Sequence, residues 1–153
     1  IKIKKNNLKN LISNSILVYS GIQRKSEVIE KDKVKNLIKN EQKFKDIFEI
    51  SKEAKKILET KNKLNIRYIA DLLNKSWVHK QQLSQYVSNP KIDELYRFGL
   101  NNGAMGGKLL GAGGGGYILF LSKDKKSQNR LIKSLKKNVY FKFEIDQNGS
   151  QIL

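Results

Sequence analysis

The sequence predicts an α+β fold: a small antiparallel sheet with helices packed on one face. Three observations predict it. The runs Ile16-Leu17-Val18-Tyr19 and Tyr117-Ile118-Leu119-Phe120-Leu121 have the length and the branched or aromatic composition of buried strands. Between them lie long stretches with apolar residues at helical spacing. After them comes one more helical stretch, then the alternating segment Val139-Tyr140-Phe141-Lys142-Phe143-Glu144-Ile145, which reads as a further strand. Strands separated by helical excursions suit antiparallel pairing with the helices segregated to one side.

In chain order, Ser15 to Ser20 forms the first strand and the Ser20-Gly21 step turns the chain. From about Arg24 to Asn40, Val28, Ile29, Val34, Leu37 and Ile38 recur near helical spacing and predict an amphipathic helix. Phe44, Ile47, Phe48, Ala54, Ile57 and Leu58 predict a second. A third begins near Asn65 and turns Ile69, Leu72, Leu73 and Trp77 inward, with Lys80 three residues after Trp77 on nearly the same face. Asn89-Pro90 opens a fourth, because Asn caps an orphan amide and proline at the first helical position loses no useful donor; Ile92, Leu95 and Tyr96 face inward. Asn102-Gly103 closes it. Lys123 to Lys137, with Leu131, Ile132 and Leu135 apolar, is the last helix, and Asn148-Gly149 offers a hairpin turn into Ser150 to Leu153. The sum is a ferredoxin-like two-layer sandwich with three or four antiparallel strands.

Composition narrows the chemistry. The 153 residues, 39% of them hydrophobic, make one domain with a core. Cysteine is absent, which excludes disulfides, thiolate zinc sites and thiol catalysis, and the single His79 cannot form a histidine cluster. No apolar run is long enough to span a bilayer, and a soluble, cytoplasmic protein without a membrane partner is expected. The formal charge of +17 comes from 27 Lys and 4 Arg spread along the chain, mixed with acidic residues and 15 Asn. Without an Arg-rich or aromatic-interleaved reading surface, that pattern is a solvated background more than a nucleic-acid interface. Asp71 and Asp93 have no partner at metal-ligand spacing, so no metal site is expected from this domain alone. Tyr117, opening a buried strand, is expected in the core.

The segment Gly103 to Gly116 is different, with eight glycines in fourteen residues. Each costs backbone entropy on ordering, so four consecutive ones after Ala112 imply positive φ angles or a neighbouring body pressed against the loop. Successive amides in such a turn can hold an anion. Gly111-x-Gly113-x-x-Gly116 matches the dinucleotide-binding spacing, but a strand follows it where that motif needs a helix. A Walker loop also fails, because Asn102 stands at its first glycine and Leu109 follows Lys108.

The run Gly103-Ala104-Met105-Gly106-Gly107-Lys108-Leu109-Leu110-Gly111-Ala112-Gly113-Gly114-Gly115-Gly116-Tyr117 resembles the third motif of the GHMP small-molecule kinases. Leu17 to Arg24, with Trp77, Lys80 and Ser88-Asn89-Pro90-Lys91-Ile92-Asp93, is similar to the sugar-kinase branch that contains heptose 7-phosphate kinases and fucokinase-like enzymes. The resemblance implies an ATP- and Mg²⁺-dependent carbohydrate kinase of two domains. Residues 1–153 would be its carboxy-terminal domain, and the amino-terminal ATP-binding domain would lie outside this chain. It further implies that Lys108 and the loop Gly111, Ala112, Gly113, Gly114, Gly115 and Gly116 support the nucleotide phosphates, while Arg24 and Lys80 contact a sugar or sugar-phosphate substrate. No catalytic residue is assigned here, because the resemblance places the acidic groups for metal and base roles in the other domain; a start that lacks Met adds to the expectation of a fragment or separate domain.

The expected function is therefore that of half a sugar kinase, transferring phosphate from ATP to a sugar hydroxyl only with an amino-terminal domain supplied in cis or in trans. A bare apolar face would mark that partner or a homodimer. The alternative is a basic, non-catalytic module binding nucleic acid or an anionic partner, whose mark would be a strongly salt-dependent affinity.

Overall fold

The computed structural model describes residues 2–24, 26–60, 62–136 and 138–146. It contains α1 (Lys5–Ser13), β1 (Ser15–Tyr19), α2 (Ser26–Lys35), α3 (Glu41–Leu58), α4 (Ile66–Gln81), α5 (Pro90–Asn101), β2 (Ala104–Leu109), β3 (Tyr117–Ser122), α6 (Lys125–Leu135) and β4 (Tyr140–Phe141). The four strands form one antiparallel sheet in the order β2-β3-β1-β4. With α2 to α5 in one crossover and α6 in the other, this is the βαββαβ arrangement of a ferredoxin-like sandwich preceded by α1. No helix among the described residues is long and apolar enough to cross a membrane.

Register separates the two faces of the sheet. Ile16 pairs with Phe120 and Val18 with Ile118, so these four share a face; all are fully buried. Helices α5 and α6 pack over that face, and their Ile92, Leu95, Leu131 and Leu135, with Trp77 of α4, complete the main core. On the opposite face Leu17 pairs with Leu119 and Tyr19 with Tyr117. Its far end, at Leu121, is closed by a smaller cluster with Leu64, Ile66 and Ile69, while its near end is open. Tyr117 is 40% exposed and Phe141 46%.

Capping follows the chemistry of the residues. Asn65 accepts the amide of Tyr68, Asn89 that of Ile92 and Asp124 that of Ser127, and Pro90 occupies the first turn of α5. Gly103 follows α5 at φ +133°, and a Cβ there would stand 2.3 Å from the Ser127 carbonyl oxygen, so only glycine fits.

Several expectations are corrected. Sequence periodicity gave no element before Ser15, where α1 lies, and took the glycine segment as loop, whereas its first half is β2. The helix expected from Arg24 to Asn40 ends at Lys35, and Val28, Val34, Leu37 and Ile38 are exposed; only Ile29 of that apolar set is buried, because α2 meets the domain at the glycine loop and not over the sheet. Helix α3 has no fully buried residue and packs on α4. The strand expected over Val139 to Ile145 shrinks to two residues opposite Leu17 and Val18; beyond it Phe143 and Ile145 leave the sheet and line an apolar hollow with Leu11, Ile12 and Leu119. Asp93, which the sequence leaves without a partner at metal-ligand spacing, accepts hydrogen bonds from Ser88 Oγ (2.5 Å) and Gln81 Nε2 (2.9 Å). Tyr117, expected in the core, lies at the open end. The turn expected at Asn148-Gly149 and the segment to Leu153 lie outside the described residues.

Strand β2 has β3 on one side and α4 on the other. A Cβ on Gly106 would stand 2.2 Å from the carbonyl oxygen of Ala70, so helix and strand meet backbone to backbone. Asn74 completes the strand's free edge: its Oδ1 accepts from the Gly107 amide (2.9 Å) and its Nδ2 donates to the Met105 carbonyl (3.0 Å), while Tyr96 Oη donates to the same Oδ1 (2.6 Å). A helix thus does what a fifth strand would otherwise do. Gly106→Ala should cost roughly 2 to 3 kcal/mol in urea unfolding, because the obstruction is backbone and cannot rotate away. A change within a few tenths of a kcal/mol would mean that α4 and β2 separate freely.

Candidate functional site

The site is built on the turn between β2 and β3. Gly111, Gly113, Gly114 and Gly116 adopt φ of +67°, +117°, +71° and +89°, a region that L side chains rarely enter. Two of them are also sterically closed: a Cβ on Gly113 would lie 2.9 Å from the Val87 backbone, and one on Gly114 2.9 Å from the Tyr86 carbonyl. The loop is tied down by Gly114 N–H donating to Val87 O (2.8 Å), Gly116 N–H to Ile22 O (3.0 Å) and Ser20 N–H to Gly116 O (2.8 Å). It is ordered by these bonds, which answers the expectation of glycines pressed against a neighbouring body.

Two buried lysines hold the loop's carbonyls. Lys80, at the end of α4, donates to Leu109 O (2.8 Å) and Gly111 O (2.6 Å) and lies 6.0 Å from the Trp77 ring. Lys33 of α2 donates to Ala112 O (2.7 Å) and to Glu30 Oε1 (2.9 Å). Burial, with Lys108 and Lys33 as like-charged neighbours, draws the Lys80 ammonium down to about 8, and Glu30 opposes them. Lys108 is also lowered by burial, and its Nζ donates to Ser76 Oγ (2.6 Å).

An open concavity of about 860 Å³ lies over the outer side of the loop, lined by Tyr19, Gln23, Arg24, Gly111, Ala112 and Tyr117 among others. The structure therefore brings Arg24 together with Gly111, Ala112, Gly113, Gly115 and Gly116, and places Gly114 beneath them against Arg24 Cδ. Arg24 is exposed, and its guanidinium makes no hydrogen bond or ion pair among the described residues. Lys80 lies under the loop with its ammonium engaged, and Lys108 points to α4 on the far side of β2. Tyr19 and Tyr117, with ring centroids 5.3 Å apart, form an aromatic wall that sequence reasoning did not assign to the site. The two face each other across the β1–β3 register, a pairing that the sequence alone does not signal. Lys33 was also missed, although it follows Ile29 by one helical turn. Among the described residues no three carboxylates or imidazoles gather as a metal site.

Comparison with known proteins matches residues 31–140 to the model of the GHMP kinase carboxy-terminal region. The chain belongs to the GHMP kinase family. This GHMP domain is 32% identical over 137 residues to a D-glycero-alpha-D-manno-heptose 7-phosphate kinase of Campylobacter jejuni, covering 90% of the chain and 40% of the relative. It is 27% identical over 131 residues to a bifunctional fucokinase/GDP-fucose pyrophosphorylase of Arabidopsis thaliana, covering 85% of the chain and 12% of that protein. Among solved structures, the mevalonate kinase of Methanococcus jannaschii superposes with a TM-score of 0.71 and 27% identity over 92% of this chain and 42% of its own. The GHMP domain thus spans well under half the length of these relatives.

Burial of Lys80 has a pH signature. The side chain binds its proton up to about 10.5 when unfolded and only to about 8 when folded. Across that window the unfolded state carries more protons, so stability rises with pH and the benefit is absent below 8. Tyr96, raised to about 12 by burial, acts in the opposite sense only above 10. Between pH 8 and 10 the urea midpoint should climb more steeply for the unmodified chain than for Lys80→Met. Equal slopes would place Lys80 in solvent.

Proposed function

We propose that this chain is the carboxy-terminal domain of an ATP- and Mg²⁺-dependent sugar or sugar-phosphate kinase, working with an amino-terminal domain in cis or in trans. The observation that carries the reading is the meeting of an unpaired Arg24 with an ordered, positive-φ glycine loop in one concavity. The heptose-phosphate kinase and fucokinase relatives support a carbohydrate as the acceptor.

Phosphoryl transfer is carried mainly by positioning and by compensation of phosphate charge, with Mg²⁺ and the nucleotide supplying the reacting group. The loop suits a phosphate: the amides of Gly111, Ala112, Gly113 and Gly115 have no hydrogen-bond partner among the described residues. Arg24 presents a planar, permanently charged fork to a sugar phosphate or to hydroxyls beside it. Tyr19 and Tyr117 offer an apolar wall against which a sugar ring can rest. The exposed end of the sheet, Tyr117 and Phe141 with centroids 5.8 Å apart, is the surface on which the amino-terminal domain would sit. The basic-module alternative has dispersed charge alone in its favour.

Two measurements test the proposal. Titration of ATP·Mg into the isolated chain should yield little heat, and micromolar affinity would contradict the need for a second domain. A chimaera carrying this chain in place of the carboxy-terminal domain of the Campylobacter kinase should phosphorylate a heptose or hexose phosphate. In it Arg24→Ala should lower kcat/KM roughly 10- to 100-fold, the loss of one or two charge-assisted hydrogen bonds. A folded, ATP-binding chimaera that phosphorylates no sugar would refute the assignment.

A further inference from the structure

We propose that Lys80 and Lys33 are positioning residues that set the orientation of the glycine loop's peptide planes and so turn its amides toward the cleft. The family resemblance suggested Lys80 as a substrate contact, but its ammonium is buried and already donates to two carbonyls.

The geometry of the peptide unit makes the link. In a planar trans peptide the C=O of one residue and the N–H of the next point in opposite directions. Lys80 draws the Gly111 carbonyl to 2.6 Å beneath the loop, so the Ala112 amide faces the other way. Lys33 draws the Ala112 carbonyl to 2.7 Å and thereby directs the Gly113 amide outward in the same manner. Ala112 and Gly113 both line the concavity that holds Arg24. Glycines on either side of Ala112 permit these rotations, but permission is not selection: a segment with φ of +67° and +117° at Gly111 and Gly113 has other orientations open to it. Two charged donors from different helices, 47 residues apart in sequence, select one of them.

The groups facing Lys80 are Lys33 and Glu30 from α2, Lys108 from β2 and the Trp77 ring on its own helix. Two ammonium groups therefore sit buried under the loop, with a third, Lys108, half-buried across β2, and the carboxylate that opposes them among the described residues, Glu30, is half exposed. That excess positive charge adds to the pull of the outward amides on an anion. What the amides receive, a phosphate group, rests on the kinase reading; the control of their direction by the lysines does not.

The test uses the isotope-labelled chain, Lys80→Met and Lys33→Met, with inorganic tripolyphosphate as probe and core methyl resonances as the check of folding. Both variants should shift the amide resonances of Gly111 to Gly114 while the core stays in place. In the unmodified chain tripolyphosphate should move Ala112 and Gly113 most, with affinity about tenfold weaker in Lys80→Met. That affinity should also fall as pH rises through about 8 in the unmodified chain, and not in Lys80→Met. Should Lys80→Met fail to fold, Lys33→Met and the pH dependence of the unmodified chain give the same reading. Loop resonances unchanged in folded variants, or tripolyphosphate binding equal in all three proteins, would overturn the proposal. Loop resonances that move in the variants while tripolyphosphate moves none would uphold the lysines' role and count instead against the phosphate reading of the site.

Discussion

The closure of β2 by α4 is the constraint on which the rest of the domain depends. An edge strand leaves alternate amides and carbonyls without partners, and here a helix supplies them. That is possible because glycine at 106 lets the Ala70 turn of α4 approach the strand, bringing Asn74 and Lys80 within reach of its edge. Asn74 serves both polarities, accepting from Gly107 and donating to Met105, and Tyr96 fixes its orientation by donating to the same oxygen. A leucine at 74 would leave a buried donor and acceptor unpaired, at a cost greater than the hydrogen bonds contribute when made.

The site inherits its order from this edge. The side chain of Lys80 continues the row of donors from the strand into the turn, bonding the last carbonyl of β2 and then the first glycine of the loop. From there Val87 and Ile22 hold the loop's amides, and Lys33 its next carbonyl. The loop can therefore be rich in glycine and still rigid, the combination needed where a backbone must both approach a charged ligand and stay in place. The cost is a concentration of positive charge in a poorly solvated region, visible in the lowered proton affinities of Lys80 and Lys108.

Much of the fold was legible in local chemistry. Asn89-Pro90 and Asn102-Gly103 marked α5 at both ends, and the apolar run at Tyr117 to Leu121 marked the central strand. The strand β2 was not legible, since Ala-Met-Gly-Gly-Lys-Leu has neither branched residues nor alternation; its extended form is imposed by β3 and α4, which are distant in sequence. Helix α2 misled for the converse reason: its apolar periodicity is real, but among the described residues only Ile29 finds a core, at the loop. Of the site, the glycine motif and Arg24 could be found by resemblance and spacing. Helical spacing already placed Lys80 on the face of Trp77, but its hold on the loop carbonyls, the participation of Lys33 and the exposure of Tyr117 depend on which face each element presents, a property that only assembly of the sheet decides.

Amide exchange at Gly107 measures the edge closure directly. If the Asn74 side chain replaces a strand, this amide should exchange about as slowly as those of Ile118 and Phe120 in the sheet interior, and Asn74→Leu should speed it selectively while the β1–β3 ladder remains protected. Exchange at Gly107 as fast as at an exposed edge amide in the unmodified chain would contradict the closure, and with it the physical basis for the order of the glycine loop.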